Sequence, residues 1–326
     1  MVKTHKPRAG SRGFWPKKRA ARMYPVLRNV PAGSKAQPLA FAAYKAGMAQ
    51  VEFSDRTEES PSFGMDAITP VTVLEAPPLV VAGITLLRFE TGGWREVKRT
   101  LAEKLSKDLS RKTSLPKKAH AHLQEMEKTV ADGGTYDIRL LVHTQPKSAF
   151  GKKKPELFEI PLGGKLEEKL AYAKSKLGSE LKAEEVFAEG ELVDVSSVTT
   201  GKGYQGPVKR FGIKIRPRKH EKKRRHVGTL GPVTPGRVLP AKIAMAGQLG
   251  FQTRTEYNKL LLRIAAGSAS PKGGFLGYGE VNGPHMIIKG SLPGPKKRLI
   301  MLRKPTRAPA KPEKIEIKEL LLESQQ

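Results

Sequence analysis

The chain has 326 residues, 60 Lys and Arg against 31 Asp and Glu, a formal net charge of +29, and only 38% hydrophobic and 6% aromatic residues. A pI near 10.2 and a mean hydropathy of −0.44 argue against an integral membrane protein, and no apolar run approaches the roughly 18 to 20 residues that cross a bilayer. The absence of cysteine excludes disulfides, thiolate nucleophiles and Cys-containing zinc sites.

Residues 1–35 carry ten Lys or Arg and no Asp or Glu. Phe14, Trp15, Met23 and Tyr24 are scattered among Pro and Gly without period, and there is no apolar stretch of the secretory kind. Fixing each residue costs about 1–2 kcal/mol of backbone entropy. With little apolar burial to offset that, this segment reads as an arm shaped by a polyanion partner.

Residues 36–95 change character and read as the first part of a β-barrel. Strands are expected at 39–53, 69–75 and 79–89, the last two separated by Ala76-Pro77-Pro78. Residues 96–185 read as an α+β insertion. Val97, Leu101, Leu105 and Leu109 recur every fourth residue, which predicts an amphipathic helix over 95–112. A second helix is expected around 120–130, strands at 137–143 and 156–160, and a third helix over 165–181 with Leu166, Leu170, Ala173, Leu177 and Leu181 on one face.

The β pattern resumes at 191–198, within a barrel strand at 186–200. A long basic internal loop follows at 201–263, with sixteen Lys or Arg against Glu221 and Glu256. Residues 264–312 read as the last part of the barrel, with strands at 274–281, 285–290 and 298–303, and 313–326 as a short terminal helix. The fold class expected is therefore mainly β with an α+β insertion, a closed antiparallel barrel interrupted twice. Together 1–35 and 201–263 hold +24 of the +29. Charge this uneven is the footprint of a nucleic acid, because each cation laid against a phosphate releases a condensed counterion. A basic membrane-surface helix is disfavoured by the Gly and Pro content.

Gly201-Lys202-Gly203-Tyr204-Gln205-Gly206 matches G-x-G-x-x-G, a weak signal alone. Pro207 and a basic run follow where a dinucleotide fold needs a helix and then an acidic residue, and the other kinase motifs are missing. A Gly-rich turn that brings backbone N–H groups close to phosphates fits the context better. His220-Glu221 is followed by His226, too far along for a zinc helix, and His120 and His122 are two apart. The expectation is no metal, no cofactor and no catalytic constellation. The densest feature, 209–225, lies between predicted strands and is stiffened by Gly212, Pro217, Gly228, Gly231, Pro232, Pro235 and Gly236. A charge run is usually a solvated face; this position inside the chain favours a loop packed on RNA.

Several ordered motifs carry a family resemblance: Gly13-Phe-Trp-Pro-Lys-Lys-Arg, Tyr44-Lys-Ala-Gly-Met, Val73-Leu-Glu-Ala-Pro-Pro-Leu, Gly201-Lys-Gly-Tyr-Gln-Gly-Pro-Val-Lys-Arg, Ala246-Gly-Gln-Leu-Gly, Arg254-Thr-Glu-Tyr-Asn and Ile288-Lys-Gly-Ser-Leu-Pro-Gly-Pro-Lys. Running in order from about residue 13 to about residue 300, they resemble the third universal large-subunit ribosomal protein (the L-three family) of the archaeal and eukaryotic type. The resemblance implies a translation-protein-type barrel at the subunit surface. It further implies an internal loop reaching toward the peptidyl transferase centre with the N-terminal arm beside it, and early binding to large-subunit rRNA. The partners implied are that rRNA and neighbouring large-subunit proteins in the cytoplasmic ribosome, with no membrane, no homo-oligomer and no enzymatic activity of the protein's own. Val233 stands where eukaryotic relatives carry Trp near the loop tip, so aromatic stacking there is not carried over.

The residues expected on RNA are, in the arm and first strand, Lys3, Lys6, Arg8, Arg12, Trp15, Lys17, Lys18, Arg19, Arg22 and Lys45. In the loop they are Lys202, Tyr204, Gln205, Lys209, Arg210, Lys214, Arg216, Arg218, Lys219, His220, Lys222, Lys223, Arg224, Arg225, His226, Arg237, Lys242 and Arg254. Gly201, Gly203, Gly206, Gly231 and Gly236 are the glycines expected to allow close approach. The competing class is an RNA-modifying or nucleotide-using enzyme that grips its substrate with the same loops.

Overall fold

A computed structural model describes residues 11–27, 30–58, 60–116, 123–130, 134–220, 223–309, 313 and 315–323. The chain forms two compact units, Tyr24–Ser197 with Thr255–Gln326 and Met1–Met23 with Val198–Arg254.

Strand β1 (Ala40–Asp55) opens the larger unit, and its first eight residues are all buried. A strand covered on both faces needs no polar alternation, which suits its Ala-rich run around Phe41 and Tyr44. Next, β2 (Asp66–Glu75) returns antiparallel to it, Tyr44 opposite Glu75 and Ser54 opposite Asp66. β3 (Leu79–Glu90), β4 (Gly93–Leu101), β5 (Tyr136–His143), β6 (Leu157–Pro161) and the short β7 (Glu180–Leu181) form a separate sheet in the order β4-β3-β5-β6, with β7 on β3. Between them lie helices α1 (Leu123–Val130), α2 (Pro146–Phe150) and α3 (Leu166–Lys176).

The chain then adds β8 (Leu192–Val198). In the smaller unit it forms β9 (Tyr204–Gln205), helix α4 (Pro207–Phe211) and β10 (Gly247–Gln248). β11 (Thr253–Ala265), β12 (His285–Lys289), β13 (Leu299–Arg303) and β14 (Ile315–Leu321) follow. The seven-stranded sheet runs β13-β8-β11-β12-β2-β1-β14, and β13 also pairs β1, with Phe41 opposite Leu302. The architecture is mainly antiparallel β.

One apolar cluster runs through both sheets of the larger unit, including Phe41, Leu74, Ile84, Leu140, Ile160, Val193 and Ile300. Each such burial is worth about 1.5–3 kcal/mol. Tyr44 ties the sheets together: its hydroxyl donates to Glu156 Oε2 at 2.6 Å, with Thr144 Oγ1 2.9 Å away, and Phe150 packs edge-on at 4.9 Å. Burial, then the Glu156 charge, push the phenol pKa far up, so it stays a donor.

Several sequence expectations are corrected. The helix expected over 95–112 is β4 followed by a 3-10 turn at Lys107–Arg111. Thr91-Gly92 folds the chain back so that Phe89 faces Trp94 and Gly83 faces Leu101, and this long-range pairing overrides a local period of four. The terminal helix expected at 313–326 is β14, antiparallel to β1 with Asp55 opposite Ile315. Its Ile315-Glu-Ile317-Lys alternation is a period-two signal. The strand expected at 274–281 is a set of turns with one bridge, Phe275 to Gly279, imposed by left-handed Gly274, Gly277 and Gly279. Finally, β11 occupies 253–265, the tail of the segment read as loop. The second sheet includes β3, which sequence had grouped with the first strands. The 120–130 helix is seen as α1; His120 and His122 lie outside the described residues.

Candidate nucleic-acid interface

The smaller unit is assembled from both basic stretches. Strands β9 and β10 pair antiparallel, Gln205 opposite Gly247 and Tyr204 opposite Gln248. Further backbone bonds extend the ladder: Leu249 N to Gly203 O at 2.9 Å, Lys202 N to Leu249 O at 2.9 Å, and Thr199 N to Gln252 O at 3.0 Å. Gly250, in the left-handed region at φ 73°, sits where a Cβ would collide with the Thr200 carbonyl oxygen, so only glycine lets the two strands cross there. Helix α4 begins on Pro207 and ends on left-handed Gly212. Proline at the first helical position and glycine just past the end are the usual frame of a short helix.

The arm joins this core through a ring stack and hydrogen bonds to backbone oxygens. Trp15 stacks on Phe211 with ring centroids 5.1 Å apart. Ala20 N donates to Phe251 O at 2.7 Å, and Gln252 Nε2 donates to Pro16 O at 2.9 Å. Arg210 braces the same region: Nε donates to Gln248 O at 3.1 Å and Nη1 to Met245 O at 2.8 Å, with the guanidinium over the Phe211 ring. Farther out, Arg216 and Arg224 link the sides of the loop, Arg216 N donating to Arg224 O at 3.1 Å and Arg224 Nε to Arg216 O at 3.3 Å. The expectation that these segments take shape only on a polyanion is therefore corrected at the loop's root, where protein groups define it.

The expected RNA residues fall into three groups. Lys18, Arg19, Arg22, Lys202, Tyr204, Lys209, Lys214, Arg218, Lys219, His220, Lys223, Arg224, Arg225, His226, Arg237, Lys242 and Arg254 are exposed. Trp15, Lys17, Gln205, Arg210 and Arg216 are half-buried, and Trp15 and Arg210 are engaged by protein as described. Lys45 is elsewhere: it lies in β1 of the larger unit, 9% exposed, with Nζ donating to Leu292 O at 2.6 Å and Gly294 O at 3.2 Å. Burial pushes its pKa down, partly countered by Glu256. A caged, desolvated ammonium leaves little to offer a phosphate, so its assignment to RNA is corrected to an internal role. Lys3, Lys6, Arg8 and Lys222, and the side chain of Arg12, lie outside the described residues.

Gly201, Gly203, Gly206, Gly231 and Gly236 are all exposed. Positive φ accounts for glycine at Gly203, Gly231 and Gly236. Gly206 is different: its φ is −68°, and no atom of the described residues would lie within 4 Å of a Cβ there, so none of those residues demands glycine at this position. The G-x-G-x-x-G stretch leads into the five-residue α4, not the long helix that a dinucleotide site needs. No group of three or more His, Cys, Asp or Glu able to hold a metal occurs among the described residues.

Phe211, Phe251 and Gln252 were missed by sequence reasoning, although the Pro207–Gly212 spacing marked the helix that carries Phe211. The same frame, Pro146 to Gly151, marks α2, also missed. The smaller unit holds 22 of the 60 Lys and Arg and one of the 31 Asp and Glu, which is +21 of the chain's +29.

Residues 1–324 match the model of the family described as Ribosomal protein L3. Among curated relatives, the Large ribosomal subunit protein uL3 of Methanosphaera stadtmanae is 46% identical over 322 residues, covering 95% of each chain. That of Methanothermobacter thermautotrophicus is 45% identical over 323 residues, covering 96% of this chain and 95% of its own. The Nanoarchaeum equitans protein of the same description is 44% identical over 316 residues, covering 96% and 95%.

Proposed function

The chain belongs to the ribosomal protein L3 family, and on that membership we propose that it is a structural constituent of the large ribosomal subunit, binding large-subunit rRNA in the cytoplasmic ribosome and supporting early subunit assembly. It is not an enzyme; the rRNA supplies the chemistry. The observation that carries this reading is the +21 concentrated in a small unit with almost no acidic residues. Charge of that density is unfavourable to gather unless phosphates offset it.

Within this reading, the exposed cations of the smaller unit neutralise rRNA phosphates, and exposed Tyr204 offers a face to an unstacked base. Gly206 lets a sugar–phosphate backbone approach α4 closely. The loop tip, where Leu230 and Val233 are 52% and 93% exposed, reaches toward the peptidyl transferase centre. Arg210 and Trp15 support the site from behind by holding Phe211. The circuit of pairings β1–β2–β12–β11–β8–β13 and back to β1 supports a closed, translation-protein-type barrel, with β14 added outside the circuit. Closure of that kind removes exposed strand edges. The chain acts without self-association, among neighbouring large-subunit proteins.

Sedimentation of cell extract tests the proposal. The chain is expected to travel with large subunits and to remain there after a high-salt wash. A predominantly free pool at low salt would overturn it.

A further inference from the structure

Tyr257 of β11, in the larger unit, is 58% exposed. The guanidinium of buried Arg303 lies over its ring, with Cζ 5.9 Å from the centroid. Asp194 fixes that guanidinium: Arg303 Nη2 donates to Asp194 Oδ2 at 3.1 Å, and the same oxygen accepts from Thr306 N and Thr306 Oγ1. The next residue in β11, Asn258, is left-handed at φ 53°, a region that asparagine tolerates better than most side chains. Its N donates to Asp194 Oδ1 at 3.1 Å, and its Nδ2 to the Arg307 carbonyl oxygen at 2.8 Å. One network therefore sets both the cation beneath the ring and the backbone that carries the ring.

A ring more than half exposed, with a guanidinium on one face, turns its other face to solvent. Held in this way, it loses little side-chain freedom when a ligand stacks on it. Three features select the ligand. Residues 303–309 contain Arg303, Lys304 and Arg307 and no Asp or Glu, which favours a ligand that brings negative charge. A second cation, the other common ligand of an aromatic face, would be repelled by Arg303 through the ring and by the exposed Arg307. An apolar protein anchor needs apolar neighbours, yet among the described residues of β11 and 299–309 Tyr257 is the only exposed large hydrophobic side chain. An RNA base has a planar π-face and is joined to a phosphate, so it meets all three conditions.

We propose that the open face of Tyr257 stacks on one unstacked base of large-subunit rRNA, with Arg307 against that nucleotide's phosphate. The inference rests on the rRNA-binding reading above and adds a stacking site in the larger unit, outside the unit that carries most of the charge.

Tyrosine nitration of the full-length chain, read residue by residue by mass spectrometry, tests the site with octauridylate and an abasic octamer of equal phosphate count as probes, and in intact large subunits. Tyr257 should be nitrated in the free chain. Octauridylate should protect it at about tenfold lower concentration than the abasic octamer, the worth of one base–aromatic stack. In subunits Tyr257 should be protected, and ultraviolet light should join it to an RNA base. Equal protection by the two octamers, nitration of Tyr257 in subunits, or a cross-link there to a neighbouring protein would each overturn the site. Protection of Tyr204 without Tyr257 would defeat this inference and leave the proposed function standing. Protection of neither tyrosine, with the chain absent from large subunits, would defeat both. Tyr257→Trp should add a fluorescence signal that octauridylate quenches and the abasic octamer does not, and an unquenched signal would count against stacking. Should that variant not fold, the nitration pattern of the unaltered chain decides the question by itself.

Discussion

Gly47 lies in the middle of β1, where a Cβ would overlap the ring of buried Phe275. Gly47→Ala should destabilise the protein by about 1–3 kcal/mol through overpacking, read as a lower denaturant midpoint with unchanged slope. Part of the loss should return in Gly47→Ala/Phe275→Ala, since the two share one volume; an undisturbed midpoint in the single variant would refute the packing argument. Asp194 is fully buried and accepts from Arg303 Nη2, Asn258 N, Thr306 N and Thr306 Oγ1, at 3.1 Å each. Because Arg303 is itself buried, Asp194→Ala removes the carboxylate of a buried ion pair together with the hydrogen bonds it accepts, and should cost about 3–5 kcal/mol. Lys45→Met separates structure from binding. It should lower the unfolding midpoint while leaving the salt dependence of rRNA binding unchanged, and a shifted salt slope would return Lys45 to the RNA-facing set.

The elements divide labour in a way that allows the loop to be cut cleanly. Phe211 and Arg210 belong to the root formed with β9, β10 and the arm, whereas the sequence of 215–237 carries eight Lys or Arg. Replacing 215–237 by a short Gly-Ser bridge should leave the unfolding of the larger unit intact. It should also flatten the plot of log K against log salt by about 5–7, the loss of eight phosphate contacts. An unchanged slope would mean that these cations face solvent. At α4, Gly206→Ala should leave stability within about 0.5 kcal/mol, as for a surface change, yet weaken rRNA binding; equal affinity would show that no backbone approaches it. In the larger unit, β14 is secured by side-chain pairs as well as strand pairing, Lys318 with Asp66 and Arg56 with Glu316.

At the scale of the whole molecule, charge and core are segregated. The smaller unit carries +21, while the larger unit, with the remaining +8, contains the continuous apolar cluster. If about ten cations of the full chain meet phosphates, log K for large-subunit rRNA should fall against log salt with a slope of about −7 to −9. A nearly flat dependence, measured by filter binding from low to physiological salt, would contradict an interface built on counterion release.

Much of this was legible in the residues themselves. Alternation and β-branched runs located β1, β2, β3, β5, β6, β8, β12 and β13, and the uneven charge located the basic unit, because local pattern and counterion physics need no third dimension. The period-four leucines before Lys112 misled because Thr91-Gly92 turns that segment back onto β3, a pairing that local periodicity does not register. The same holds for Lys45, whose charge reads as RNA-facing until the carbonyls of Leu292 and Gly294 close around it from almost 250 residues away. The stacking of Trp15 on Phe211 likewise joins residues far apart in the chain. Sequence by itself determined the composition of the elements and the nature of the partner. Tertiary structure alone decided which cations remain available to that partner, since availability is set by desolvation and by carbonyls brought near only when distant segments pack.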